Sequence, residues 1–249
     1  MPRYKLTVEY DGTGLVGWQR QDNGVSVQGH LEDAARILAG HNVTVYAAGR
    51  TDAGVHATGQ VAHLTIEKPL RPEAVRDGLN FWMRPEGVYC PVVVVAAELA
   101  DDDFHARFSA KGRSYLYRIV NRRTRLVIDR NRAWWVPRPL DAEAMHEAAQ
   151  HLLGHHDFTT FRAAECQGNS PMRTLDRLDV SRFGQEIHVI AEARSFLHHQ
   201  VRNMVGTLKM VGEGKWPPIQ VKHALEARNR AKGGPTAPAE GLYFTGVKY

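Results

Sequence analysis

From residue 5 to residue 97 the spacing of apolar side chains switches between periods of 2 and 3.6, in an order that few folds accommodate. Lys5–Tyr10 alternates as a half-buried strand does and runs into the turn Asp11-Gly12-Thr13-Gly14. Ser26 is placed to cap a helix that carries Val27, Leu31, Ala34, Ala35 and Leu38 on one stripe and stops at Gly40. Strands are expected over Val43–Ala48 and Gln60–Ile66, a short helix from Pro72 to about Leu79, and a fourth strand over the β-branched run Val88–Ala97. This β-α-β-β-α-β succession is the ferredoxin-like order.

The second half repeats the outline without visible residue-level repetition. A strand is expected over Arg113–Asn121, a helix over Asp141–Leu153, and hairpin strands over Leu175–Phe183 and Glu186–Ala193. A long helix follows with Leu197, Val201, Met204, Val205, Leu208 and Val211 on its apolar face, then a shorter one over Val221–Ala227 and a strand over Leu242–Val247. The fold class is α/β (α+β), with one half over residues 1–104 and another over 105–249. A cleft between two such halves is the natural ligand site. At 249 residues the chain allows one large unit or two small fused ones.

The start, Met1-Pro2-Arg3-Tyr4-Lys5, passes directly into a strand and has no signal-peptide apolar region, and Val92–Ala97 is far too short to span a bilayer. The expectation is a cytoplasmic protein with no membrane partner. Cys90 and Cys166 lie 76 positions apart with no C-x-x-C pair and read as two buried thiols.

Net charge is only +5, but its distribution is uneven. Between His105 and Trp135 stand nine basic residues, among them Arg107, Lys111, Arg113, Arg122, Arg123 and Arg125, against the single acid Asp129. That segment is +8, so the rest of the chain sums to −3. Such a concentration is the footprint of phosphate binding or, more blandly, a solvated face. The interleaved Phe104, Phe108, Tyr115, Tyr117, Trp134 and Trp135 favour a nucleic acid, because rings stack on bases while guanidiniums hold phosphates.

One loop concentrates chemistry: Gly49-Arg50-Thr51-Asp52-Ala53-Gly54-Val55-His56-Ala57-Thr58-Gly59-Gln60. Its glycines allow the backbone to press one carboxylate and one guanidinium against a large ligand. Taken alone, Asp52 fits equally a tight turn in which it caps a local N–H. The histidine clusters His155-His156-Asp157 and His198-His199 lack the i, i+4 spacing of helical zinc pairs, so no metal is expected.

The loop resembles the catalytic loop of the tRNA pseudouridine synthase A family. The likeness extends to Glu9-Tyr10-Asp11-Gly12 with Gly17-Trp18-Gln19-Arg20-Gln21, to Asp103-Phe104-His105-Ala106-Arg107-Phe108-Ser109-Ala110, and to Arg113-Ser114-Tyr115-Leu116-Tyr117-Arg118-Ile119. It continues through Leu152-Leu153-Gly154 with Asp157-Phe158-Thr159-Thr160-Phe161-Arg162, Phe196 to Gly206, and Ala239-Glu240-Gly241-Leu242-Tyr243. These blocks run in order along nearly the whole chain. The sequence departs from the pattern at Asn80–Glu86, where a short Leu-Pro turn is replaced by the bulky Phe81-Trp82 pair and Arg84.

The resemblance implies an isomerase that converts uridine to pseudouridine at positions 38, 39 and 40 of the tRNA anticodon stem-loop, without any cofactor. It implies a continuous, mostly antiparallel sheet and a homodimer that binds tRNA. Asp52 is then the catalytic carboxylate, acting on ribose, on the base or through a glycal. Arg202 matches the arginine that pairs with it, against the plainer reading of a surface arginine beside an acid. Tyr115 matches the tyrosine packed on the target uracil, with core packing as its rival because it shares a strand face with Tyr117 and Ile119. Arg50, two residues before Asp52, is expected to hold the flipped nucleotide or, alternatively, a phosphate.

Overall fold

A computed structural model of the chain describes residues 1–84, 87–164, 166 and 170–249; Pro85 and Glu86 of the divergent turn lie outside the described residues. Two compact units emerge, Met1–Lys111 with Tyr243–Tyr249, and Gly112–Leu242.

In the first unit β1 (Arg3–Tyr10) is followed by α1 (Val27–Ala39), β2 (Tyr46–Ala47), β3 (His56–Thr65), α2 (Pro72–Trp82) and β4 (Val92–Ala100). Helix α1 has the expected ends: the Ser26 side chain accepts from Gly29 N, and Gly40 closes the helix at φ 79°. β1 lies between β3 and β4, antiparallel to both. Its inward residues Tyr4, Leu6 and Val8 are fully buried, as are Leu31 of α1 and Val75 and Leu79 of α2. Truncating such a leucine to alanine costs about 2–5 kcal/mol.

The second expected strand shrinks to two residues because α1 competes for its backbone. Val45 N donates to Glu32 Oε1, and Gln28 Nε2 donates to Val45 O, so side chains of α1 occupy the backbone groups a longer strand would pair. β4 begins four residues late because Pro91 has no N–H to enter the ladder, and Val88 and Tyr89 are exposed.

The second unit runs β5 (Gly112–Asn121), β6 (Trp134–Val136), α3 (Ala142–Gln150), β7 (Gly154–Asp157), β8 (Met172–Phe183), β9 (Glu186–Ala193), α4 (Gln200–Gly212) and α5 (Ile219–Glu226). β5, β9, β8 and β7 form a consecutive antiparallel set. The short strands β6 and β7 carry no period of their own and escape a reading by periodicity. Cys90 and Cys166 are free thiols, half-buried rather than buried. The chain ends in β10 (Leu242–Lys248), whose Tyr243 and Phe244 pair in parallel with His56 and Ala57 of the first unit's β3. That pairing, with the one to β1, draws β3 back to His56, four residues before the expected start at Gln60. An added Cβ at Gly59 would lie 2.3 Å from Thr245 O, so this glycine serves the approach of β10 to β3 rather than a ligand.

Candidate active site

Residues 48–55 cross from β2 to β3 in the first unit and carry Arg50 and Asp52. Their backbone is held from several directions. Trp18 N donates to Thr51 O at 3.0 Å, and Val55 N closes a turn onto Asp52 O. The Tyr10 hydroxyl and Thr51 Oγ1 lie 2.8 Å apart, Gln60 Nε2 donates to Gly49 O at 2.8 Å, and the same amide reaches the Tyr10 oxygen at 3.4 Å. Tyr10, Thr51 and Gln60 are all buried, and burial pushes the Tyr10 phenol up to about 12.

From the β1–α1 connection, Gly17 at φ 104° lies so close that a Cβ there would stand 2.5 Å from Thr51 O. Gly12 N donates to Nδ1 of His56, whose ring stacks on Tyr243 at 4.7 Å. Apart from the Asp11 carboxylate, 3.2 Å from His56 Nδ1, the groups that clamp the loop are neutral, while Asp52 stays half-buried and Arg50 exposed. Tyr10 and Gly17 stand in the quoted motifs, but their clamping role arises from contacts 34 to 41 positions away and is not visible in the sequence.

Tyr115 and Arg202 belong to the second unit. Tyr115 stands on β5, is 9% exposed, and meets the edge of Phe196 at 5.1 Å. Its strand-face companion Tyr117 is the core residue of the pair: fully buried, it donates its hydroxyl to Pro238 O at 2.8 Å. Burial, and then the Glu240 charge, push that phenol well above its usual range. Arg202 is half-buried on α4, and its Nε donates to Ala237 O at 2.8 Å while Ala237 N donates to Arg202 O.

This gives the turn-rich stretch Ala231–Pro238, which the sequence leaves without a role, a clear one. Asn203 is buried beside Arg202, its Nδ2 donates to Phe161 O, and its Oδ1 accepts from Thr236 Oγ1 and Arg230 Nη2. A Cβ at Gly206 would fall 1.7 Å from Pro235 O, so the helix and the stretch pack backbone to backbone. α4 is therefore buried around most of its circumference, not along one stripe, which explains why Asn203 and Thr207 interrupt its apolar pattern. The helix is entered through His199 at φ 61°, and Leu197 precedes it, donating its N–H to Gln200 Oε1.

The basic segment divides. Arg107 lies over the Phe108 ring, and Arg113 donates to the carbonyl of Arg194. Arg118 is taken up by Asp129 and Glu186, and Arg122 by the carbonyls of Thr124 and Arg125. Lys111, Arg123 and Arg125 are exposed.

Residues 6–109 and 148–249 match the tRNA pseudouridine synthase family, and the chain belongs to it. Among its relatives, the tRNA pseudouridine synthase A of Paramagnetospirillum magneticum is 68% identical over 249 residues, all of this chain and 96% of that one. Those of Xanthobacter autotrophicus and Sinorhizobium fredii are 58% and 57% identical over the full length of both chains. Among the described residues no helix is long and apolar enough to cross a membrane.

Proposed function

We propose that the chain isomerises uridine to pseudouridine at positions 38, 39 and 40 of the tRNA anticodon stem-loop. The observation that carries this reading is 68% identity across the entire chain to a tRNA pseudouridine synthase A, in a protein whose Asp52 sits on a firmly clamped loop. In the reaction the bond from uracil N1 to ribose C1′ breaks, the base turns, and C5 bonds to C1′. C5 loses its proton and N1 gains one, so atoms and electrons balance without a redox partner or a metal.

In this reading residues 1–104 supply Asp52 as the catalytic carboxylate, acting on ribose, on the base or through a glycal. Residues 105–249 supply Arg202 and Tyr115. Arg202 pairs with Asp52 and aims it, and the bond from its Nε to Ala237 O fixes the guanidinium for that task. Tyr115 packs on the flipped uracil and assists removal of the C5 proton. Arg50 is exposed beside the carboxylate and holds the flipped nucleotide, since a stacked base must leave the stem before any chemistry. Arg107, Lys111, Arg113, Arg122, Arg123 and Arg125 contact RNA. The working enzyme is a cytoplasmic homodimer.

Tritium release from tRNA labelled at uridine C5 tests the reading. Wild-type protein is expected to release tritium, and Asp52→Ala to fall to the level without enzyme. No release by the wild type, or undiminished release by the variant, overturns it.

A further inference from the structure

The loop joining β5 to β6, residues 122–133, lies between the two segments matched to the family, and apart from Arg122, Arg123 and Arg125 nothing in it has a part in the reading above. Its ends are close: Trp134, which follows it, pairs in parallel with Ile119, two residues before Asn121, and Asn121 Nδ2 donates to the carbonyls of Val136 and Arg138. It is a compact surface excursion of the kind that often carries function.

The loop is also anchored. Arg118 on β5 holds Asp129 at 3.2 Å and Glu186 at 2.8 Å and reaches Arg132 O at 3.4 Å, while Trp135 Nε1 donates to Arg122 O at 2.8 Å. The anchor engages the loop's single acid, leaving Arg123, Arg125 and Arg130 on the outside. Between them, at the tip, stand Val127 and Ile128, exposed by 72% and 90%.

Single exposed aliphatics need no explanation, but two adjacent ones on an anchored loop flanked by three exposed arginines form a recognisable combination. Apolar side chains that wedge against base steps, with cations on the flanking phosphates, are a recurrent way of gripping nucleic acid. A second copy of the same loop would bring like charges together, which disfavours self-association through this tip. Tyr115 and the end of β5 are six residues apart, or about 20 Å along an extended strand.

Resting on the uridine-isomerase reading, we propose that residues 122–133 form a second RNA contact, remote from the reacting nucleotide. Val127 and Ile128 pack against bases or riboses of the tRNA, and Arg123, Arg125 and Arg130 hold the phosphates on either side. β5 carries the chain about 20 Å along the strand from Tyr115 before the loop begins, and the contact reads parts of the tRNA that an isolated stem-loop lacks.

The test compares the wild type with Val127→Ser/Ile128→Ser and with Arg123→Ala/Arg125→Ala/Arg130→Ala. Substrates are whole tRNA and an isolated anticodon stem-loop; readouts are Kd by fluorescence anisotropy, KM and kcat for pseudouridine formation, thermal midpoint and mass in solution. For whole tRNA both variants are expected to raise Kd and KM about tenfold with kcat unchanged, while Val127→Ser/Ile128→Ser leaves the values for the stem-loop at wild-type level. The triple variant should also make the salt dependence of log Kd shallower by roughly three, one ion per lost phosphate contact. Wild-type Kd and KM for whole tRNA in both variants would overturn the proposal. So would an equal loss on the stem-loop, or a fall in mass whose activity loss is recovered at high protein concentration, which would mark the tip as a contact between copies. A wild type that binds tRNA through the loop yet forms no pseudouridine would defeat the isomerase reading and leave the contact standing.

Discussion

Two loops carry arginines to the surface of this protein, and they are held in opposite ways. Residues 48–55 are clamped from within by a phenol, a hydroxyl, an amide and a glycine backbone, all neutral. Residues 122–133 are anchored from one side by a charged group, Arg118, and end in an apolar tip in full contact with water. The contrast follows from what each loop does in the proposed enzyme. A carboxylate that acts on a glycosidic bond must be placed to a fraction of an ångström, whereas a remote grip on RNA needs reach and charge and tolerates play.

The sharpest way to break the comparison is Gly17→Ala. The substitution puts a Cβ 2.5 Å from Thr51 O and asks alanine to adopt φ 104°, so the loop has to move. A displacement of about 1 Å costs a reaction about a hundredfold, and the strained backbone about 1–3 kcal/mol of stability. Expected are a kcat about a hundredfold lower and a Kd for tRNA close to wild type. Wild-type kcat from a folded Gly17→Ala protein would show that the clamp does not set the position of Asp52.

Next in size is Tyr10→Phe, which removes the hydroxyl shared with Thr51 and Gln60 and leaves their buried polar atoms short of a partner, at about 1–3 kcal/mol. A fall in kcat of about tenfold is expected, with KM for tRNA unchanged. Thr51→Ser, which keeps the hydroxyl, should stay near wild type, whereas Thr51→Val should behave like Tyr10→Phe. The counterpart in the outer loop is Arg118→Met, expected to raise KM for whole tRNA a few-fold and spare kcat. Were Arg118→Met to lower kcat and Tyr10→Phe to raise KM, the division of labour between the loops would be reversed.

Much of this arrangement is legible in the sequence where local chemistry decides it. Ser26 and Gly40 frame α1, Pro72 opens α2, and Asp141 caps α3 because the signals lie within one turn of the element they bound. Asp52, Arg50, Tyr115 and Arg202 stand out through motifs recognised along the chain. What escapes is whatever depends on contacts distant in sequence. Residues 43–45 have strand composition, yet Gln28 and Glu32 claim the backbone of Val45. Residues 231–238 read as a plain connector until Gly206 and Asn203 are seen packed against them. Nothing in the run from Arg122 to Arg132 tells that Arg118 bonds Asp129 and Glu186 and Arg122 the carbonyls of Thr124 and Arg125, whereas Arg123, Arg125 and Arg130 are exposed.

The smallest expected effect separates the loops most cleanly, because their supports titrate at opposite ends of the pH scale. Hydrogen bonds from Arg118, with help from His188, hold the Glu186 carboxyl below its ordinary 4.5 against the opposing effect of burial. Its folded pKa is depressed, so its contribution is complete above pH 4.5 and is lost as pH falls below that value. Burial raises the Tyr10 phenol from 10 to about 12, so its contribution is complete below pH 10 and is lost as pH climbs from 10 towards 12. Each loop has its own reporter. The Trp135 indole N–H bonds to Arg122 O beside the outer anchor, and Trp18 lies 6.2 Å from the Tyr10 ring. On acidification the Trp135 N–H resonance should shift below pH 4.5 while Trp18 emission stays constant; on alkalinisation Trp18 emission should be quenched only as pH nears about 12, where the Tyr10 tyrosinate forms, with Trp135 unmoved. Arg118→Met should remove the acid response and Tyr10→Phe the alkaline one. Reporters that moved together at either end would mean that the two loops share one support and that the contrast between them is only apparent.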